Sequence, residues 1–318
     1  MHILEVKGLK KTFAKGKTKF TAVDGVSFHV DKGECVGLVG ESGCGKSTVA
    51  KMITRLTDVS DGHIYMNGEE VTHCKGKERR EYYRQMQMVF QMPTDSFNPR
   101  MKLGSSIAQA MTNFGMPKAE AKEKVPKLLD IVGLKREYAD RYPHQISGGE
   151  CQRAALARAL AVGPKLLICD EATSALDVSV QAQIVALIQE LQEKIDMSYL
   201  FICHDLALVQ NICNRVMVMH RGTIVEAGAT NEVICDPKHP YTKLLLSSVF
   251  PVEPDSSWQP PKLEQRVEPE GEGCKFWERC PHCTERCKRE KPNYVAVKQY
   301  DGEQNREHDV SCFLFYDR

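Results

Sequence analysis

A chain of 318 residues, 42% hydrophobic and 27% charged, has the composition of a globular protein able to bury a core, in one large domain or two modest ones. Its formal net charge of +1 gives no global electrostatic reason to bind nucleic acid. No apolar run approaches the roughly 18 residues of a spanning helix, and the opening MHILEVKGLKKTF has no apolar h-region or cleavage site. Any work at a membrane is therefore expected at its surface, through partners.

The opening residues read as a strand. Cys35-Val36-Gly37-Leu38-Val39 is an apolar run of buried-strand type leading into a glycine-rich turn. That turn, Gly40-Glu41-Ser42-Gly43-Cys44-Gly45-Lys46-Ser47, fits the pattern GxxxxGK(S/T) and precedes a helical stretch from Thr48 to Leu56. Glycines let consecutive backbone N–H groups turn inward, and the helix N-terminus adds positive potential, so the loop suits phosphates. Lys46 is expected at the β- and γ-phosphates and Ser47 at Mg²⁺. An accidental match is the plain alternative. It should arise in roughly one such chain in a hundred at ordinary Gly and Lys frequencies, and the strand–loop–helix context lowers that.

Further along, Gln91 follows the short run Met88-Val89-Phe90, where it could help position Mg²⁺ or water. Residues 104–162 lack strand runs and read as mainly helical. Lys165 to Cys169 is a second buried-strand run, ending in Asp170 and Glu171 at the sheet edge where open α/β folds place ligands. Asp170 is expected to hold Mg²⁺ through water, and Glu171, pointing the other way, to orient or deprotonate the attacking water. An acidic strand end alone is common; beside a P-loop it carries weight. Apolar residues recur at helical spacing over 178–196. Tyr199 to Cys203 is a third strand run, followed by His204, a plausible γ-phosphate contact that by itself would more often be structural. Val216 to Val225 reads as a hairpin. Strands alternating with amphipathic stretches make this an α/β protein with a parallel sheet.

Ile146-Ser147-Gly148-Gly149-Glu150, followed by Cys151-Gln152-Arg153, resembles the LSGGQ signature of ABC transporter ATPases. Residues 1–250 carry that family's motifs in order: Phe13 is similar to the aromatic that stacks on adenine, Gln91 to the Q-loop, Ser174-Ala175-Leu176-Asp177 to the D-loop and His204 to the switch histidine. Ser42, Gly43, Cys44 and Thr48 fall with the P-loop residues that line the nucleotide. Two positions depart from the pattern, Ile146 for Leu and Glu150 for Gln, the second putting an acid near a nucleotide. The resemblance implies head-to-tail dimers in which Ser147, Gly148 and Gly149 act on the partner's nucleotide. Ser96 to Met101, Leu176 to Gln181 and His239-Pro240-Tyr241-Thr242 resemble the oligopeptide/dipeptide/nickel importer branch. That branch implies permease subunits as partners, a second ATPase subunit (the same chain or another), an extracellular solute-binding protein acting indirectly, no nucleic acid, and a peripheral place on the cytoplasmic face of the membrane. Peptides are the expected cargo, with nickel or a metal chelate as the alternative. A soluble ABC ATPase of DNA or ribosome work is the runner-up, but it usually brings tandem ATPase domains, coiled coils or basic inserts.

The expected architecture is a P-loop NTPase core of the ABC ATPase type (1–91 and 163–250), a helical subdomain with the signature (92–162), a Pro-rich linker (251–273) and a small C-terminal cysteine-rich module (274–318). Of 13 cysteines, eight are scattered before residue 240 and five crowd into 274–312, which suggests a reducing compartment and metal rather than disulfides. Cys274, Cys280, Cys287 and Cys312 are spaced x5, x6 and x24, with Cys283 as an extra. This segment resembles the peptide-importer tail in which four cysteines hold a 4Fe–4S cluster. Zinc and unliganded thiols remain open alternatives. A tail this small and polar is expected to need a staple to fold, and to serve structure rather than catalysis.

Overall fold

The structure, a computed structural model, describes residues 1–16, 18–172, 178–249, 273–297 and 308–316. The D-loop expectation at Ser174 to Asp177 and the Pro-rich stretch 251–272 lie outside the described residues. The chain opens with β1 (His2–Lys15), β2 (Thr18–Asp31), β3 (Cys35–Val39) and α1 (Lys46–Ile53), then β4 (Asp61–Met66), β5 (Glu69–Glu70), α2 (Gly76–Gln85) and β6 (Met86–Val89). Three helices follow without a strand between them: α3 (Leu103–Asn113), α4 (Lys118–Ile131) and α5 (Gly148–Leu160). The chain re-enters the sheet as β7 (Leu166–Asp170), α6 (Val178–Ile195), β8 (Ser198–Cys203), α7 (Leu206–Ile212), β9 (Arg215–His220), β10 (Thr223–Ala229), α8 (Thr230–Cys235) and α9 (Pro240–Val249). The tail adds α10 (Glu285–Arg289), β11 (Val295–Ala296) and β12 (Asp309–Val310).

Two sheets carry the fold. One is antiparallel, in the order β2-β1-β4-β5; the other runs β11-β12-β10-β9-β3-β8-β7-β6, parallel from β9 to β6. Every residue of β3, β7 and β8 is buried, as expected for parallel strands covered on both faces. Alternation along these strands divides two cores. Val36, Leu38, Leu166, Ile168, Leu200 and Ile202 face the antiparallel sheet and α1. Cys35, Val39, Leu167, Cys169, Tyr199 and Phe201 face the helical side with α3, α4 and α5. A one-residue slip in any of these strands would exchange its two faces, so the register is firmly specified. The C-terminal ends of β3, β7 and β8 thereby lie along one edge, and the loops leaving that edge build the site.

The tail extends the same sheet. Val310 pairs with Glu226 of β10 on one side and Val295 of β11 on the other. Beneath this ladder His308 Nε2 lies 2.6 Å from Glu226 Oε1, and the two side chains are 1% and 0% exposed. Glu226 also accepts the backbone N–H groups of Lys238 and His239, at 2.7 and 2.9 Å.

Candidate functional site

Between β3 and α1 the chain turns through residues whose backbone only glycine tolerates. A Cβ on Gly40 (φ 153°) would stand 2.1 Å from the Met219 carbonyl oxygen, and one on Gly45 (φ 112°) 2.5 Å from that of Ala22. The loop is therefore pressed against β2 and β9 by its own lack of side chains. Gly45 caps α1, which begins with Lys46, Ser47 and Thr48. Ser42 and Gly43 are exposed, while Cys44 is buried. Lys46 is only 4% exposed, and its ammonium donates to the carbonyls of Gly40 and Glu41 at 2.8 and 3.0 Å. That geometry holds a cation in the concave side of the loop, where a polyphosphate would meet it.

Ser47 and Asp170 meet across the sheet, the serine hydroxyl donating to Asp170 Oδ1 at 2.9 Å. Asp170 is 7% exposed, and burial raises its pKa above the ordinary carboxylate value, opposed by the Ser47 hydrogen bond. A buried carboxylate and a hydroxyl side by side are hard oxygen donors that fit Mg²⁺, whose charge would offset the desolvation. Glu171 leaves the strand alternation through a left-handed backbone, φ 48°. Its carboxylate accepts from Gln91 Nε2 at 2.7 Å, and its N–H donates to the Ile202 carbonyl at 2.8 Å. The two acids, Gln91 and the P-loop serine thus gather at one sheet edge. His204 is exposed just past β8, the strand between β3 and β7.

The signature stands at the start of α5. Ser147 is the N-cap, its hydroxyl accepting from the Glu150 N–H at 3.3 Å while the Glu150 carboxylate accepts from the Ser147 N–H at 2.8 Å. Glu150 also accepts from the Tyr138 hydroxyl, and these bonds hold its pKa below the usual value. The departure from Gln is thus absorbed by a capping box. Ser147 and Gly148 are exposed; Gly149 is buried, and a Cβ there would stand 2.4 Å from Val180 Cγ1 and have to displace that side chain. Farther along α5, the Arg158 guanidinium lies 4.3 Å above the Phe97 ring and donates to the Ser96 carbonyl. Phe13 is 43% exposed near the β1–β2 turn, opposite Phe20, which is 54% exposed. Phe20 was not singled out by sequence because nothing local marks a cross-strand neighbour.

Cys274, Cys280, Cys287 and Cys312 line one cavity of ≈ 220 Å³ with Phe276, Trp277, Arg286 and Phe313; Cys283 is not among its lining residues. Burial raises the thiols of Cys274 and Cys280 and pushes that of Cys312 up to about 11. A single tetrahedral zinc needs its sulfurs about 3.8 Å apart, from a Zn–S bond of about 2.3 Å. Among the described residues, the one group of three or more metal-capable side chains with ligand atoms within 4.8 Å is His2, His29 and Asp31, so the tail thiols are more widely spread. Four thiols around one cavity are a donor set able to hold an iron–sulfur centre.

The family described as "ABC transporter" matches residues 23–174, and "Oligopeptide/dipeptide transporter, C-terminal region" matches residues 225–287. The di/tripeptide transport ATP-binding protein DppF of Pseudomonas aeruginosa is 42% identical over 90% of this chain and 90% of its own. The oligopeptide transport ATP-binding protein OppF of Bacillus subtilis is 46% identical over 84% and 88%. Among solved structures, a dimeric post-hydrolysis state of the ATP-binding cassette MJ0796 bound to ADP and Pi superposes with a TM-score of 0.66 at 25% identity, covering 71% of this chain and 98% of that one. With the P-loop, the paired acids and the capped signature arranged as described, the chain belongs to the ABC transporter ATPases, in the branch of oligopeptide and dipeptide transport ATP-binding proteins.

Proposed function

We propose that this ATPase drives the import of dipeptides or oligopeptides as a peripheral subunit on the cytoplasmic face of a permease. The observation that carries the reading is the joint placement of Lys46, Ser47, Asp170, Glu171 and Gln91 at one sheet edge. The relatives named above transport peptides by name, which supports peptides over nickel or a metal chelate. No helix among the described residues is long and apolar enough to cross a membrane, consistent with docking onto a separate permease.

In this reading Phe13 stacks on adenine, and the P-loop N–H groups of Gly40 to Thr48 with Lys46 bind the phosphates. Ser47 and Asp170, with Gln91, would hold Mg²⁺, which would supply charge neutralisation to the phosphates when bound. Glu171 takes a proton from water as its oxygen attacks the γ-phosphorus and the bond to ADP breaks; His204 contacts the γ-phosphate. Ser147, Gly148 and Gly149 serve the nucleotide of a second ATPase subunit. Because α5 carries both the signature and Arg158, it links that nucleotide to the turn at Ser96 and the buried Phe97, in the region that this reading sets against the permease. The C-terminal module, 274–318, holds a 4Fe–4S cluster on Cys274, Cys280, Cys287 and Cys312, and iron and sulfide assays on anaerobically purified protein decide that part.

Glu171→Gln is expected to keep ATP binding, abolish turnover and trap a closed dimer. Purified with ATP from solubilised membranes, this variant should bring down permease subunits. Ribosomal or DNA-bound partners, or retained turnover, would overturn the reading.

A further inference from the structure

The cysteine-lined tail reaches the nucleotide loop by three separate routes. The first is electrostatic. Arg279, next to Cys280, points its guanidinium at Glu41, the second residue of the P-loop, with Nη1 at 3.1 and 3.3 Å from the two carboxylate oxygens. The second runs through aromatic packing. The Glu41 N–H donates to the Tyr241 hydroxyl at 3.0 Å, and Tyr241 is fully buried beneath Phe276 of the tail, their ring centroids 5.5 Å apart. The third uses the β9–β10 turn. Glu278 pairs with Arg221 at 3.3 Å, and the next residue, Gly222, donates its N–H to the Cys44 carbonyl of the P-loop at 2.8 Å. Phe276, Glu278 and Arg279 all lie in the short turn between Cys274 and Cys280, and both of these thiols line the cavity.

We propose that the turn between Cys274 and Cys280 positions the P-loop, and that what the four thiols hold sets the affinity for ATP through it. The second half rests on the cluster reading above; the first does not. Glu41 places a negative charge on the loop that must receive a polyphosphate, and Arg279 cancels it. Ligation fixes the distance between Cys274 and Cys280 and therefore the pose of Arg279 and Phe276. Coupling of this kind is reciprocal, so bound ATP raises the affinity of the thiols for the ligated group by the same factor as that group raises the affinity for ATP. The effect is modest, because Arg279 and Glu41 are 36% and 40% exposed and water screens them.

The test measures ATP affinity by calorimetry on the full chain, purified anaerobically, in the Glu171→Gln background so that no turnover intervenes. Arg279→Ala should weaken ATP binding about two- to five-fold, the range of an exposed ion pair, with the difference shrinking in high salt. Arg279→Lys should keep most of the affinity, and adding Glu41→Gln to Arg279→Ala should restore it, which a merely structural role for Arg279 would not produce. Unchanged affinity in Arg279→Ala, or no rescue by Glu41→Gln, overturns the positioning role. Iron and sulfide are then assayed before and after oxidative removal of the cluster. Loss of iron with unchanged ATP affinity overturns the coupling. A chain that never held iron or sulfide overturns the cluster reading and the coupling built on it, while the Arg279 result stands by itself.

Discussion

Ser47, in the first turn of α1, and Asp170, the last residue of β7, are 123 residues apart in sequence and share one hydrogen bond. Burial keeps the Asp170 pKa above its usual value, with the Ser47 hydroxyl as the chief opposing influence and Glu171 adding repulsion. For an acid whose folded pKa is raised, the native chain holds its proton longer than the unfolded one. Stability is therefore lost as pH rises from the ordinary carboxylate range through the raised value, and the loss is in force at neutral pH. Asp170→Asn removes it. Without Mg²⁺ and ATP, the variant is expected to melt at a higher temperature than the parent protein at pH 7. The gap should narrow toward the ordinary carboxylate range. A melting series from pH 5 to 8 checks this, and an unchanged or lower midpoint at pH 7 counts against it.

At the scale of an element, α5 shows how a departure from a familiar pattern is accommodated. An acid at position 150, read along the sequence, stands near a nucleotide; folded, its carboxylate turns back to the Ser147 N–H and the Tyr138 hydroxyl. The positive end of the helix favours the charge there. Glu150→Gln preserves the capping box and should leave thermal stability nearly unchanged, whereas Glu150→Ala should cost about 1 kcal/mol. Chemical denaturation of the two variants separates these outcomes; equal losses would mean that the cap is not what Glu150 contributes.

Across the whole molecule, the tail strands β11 and β12 extend the ATPase sheet. The buried His308–Glu226 contact lies where β12 joins β10. His308→Ala would leave Glu226 enclosed with only its two backbone donors, and breaking such a buried pair costs on the order of 3 kcal/mol. The tail should then detach first. Limited proteolysis is expected to cut residues 273–316 in the variant while the remainder stays resistant, and a cleavage pattern like that of the parent protein would refute this role.

The P-loop, the signature and the strand runs ending at Asp170 and Cys203 were legible because each is a contiguous stretch whose backbone needs particular residues. Glycine stands where a Cβ would strike a carbonyl, and apolar runs stand where a parallel strand is covered on both faces. Resemblance to the peptide-importer tail singled out Cys274, Cys280, Cys287 and Cys312, and these four line one cavity. Other features were not legible. Arg279 and Glu41 are 238 residues apart, Glu226 and His308 are 82, and Phe13 and Phe20 meet only because a hairpin pairs them. Local chemistry is written into short stretches of sequence, since backbone conformation and burial act residue by residue. Which distant charges and rings meet depends on strand order and on β12 joining the sheet edge, and only the packed tertiary structure decides that.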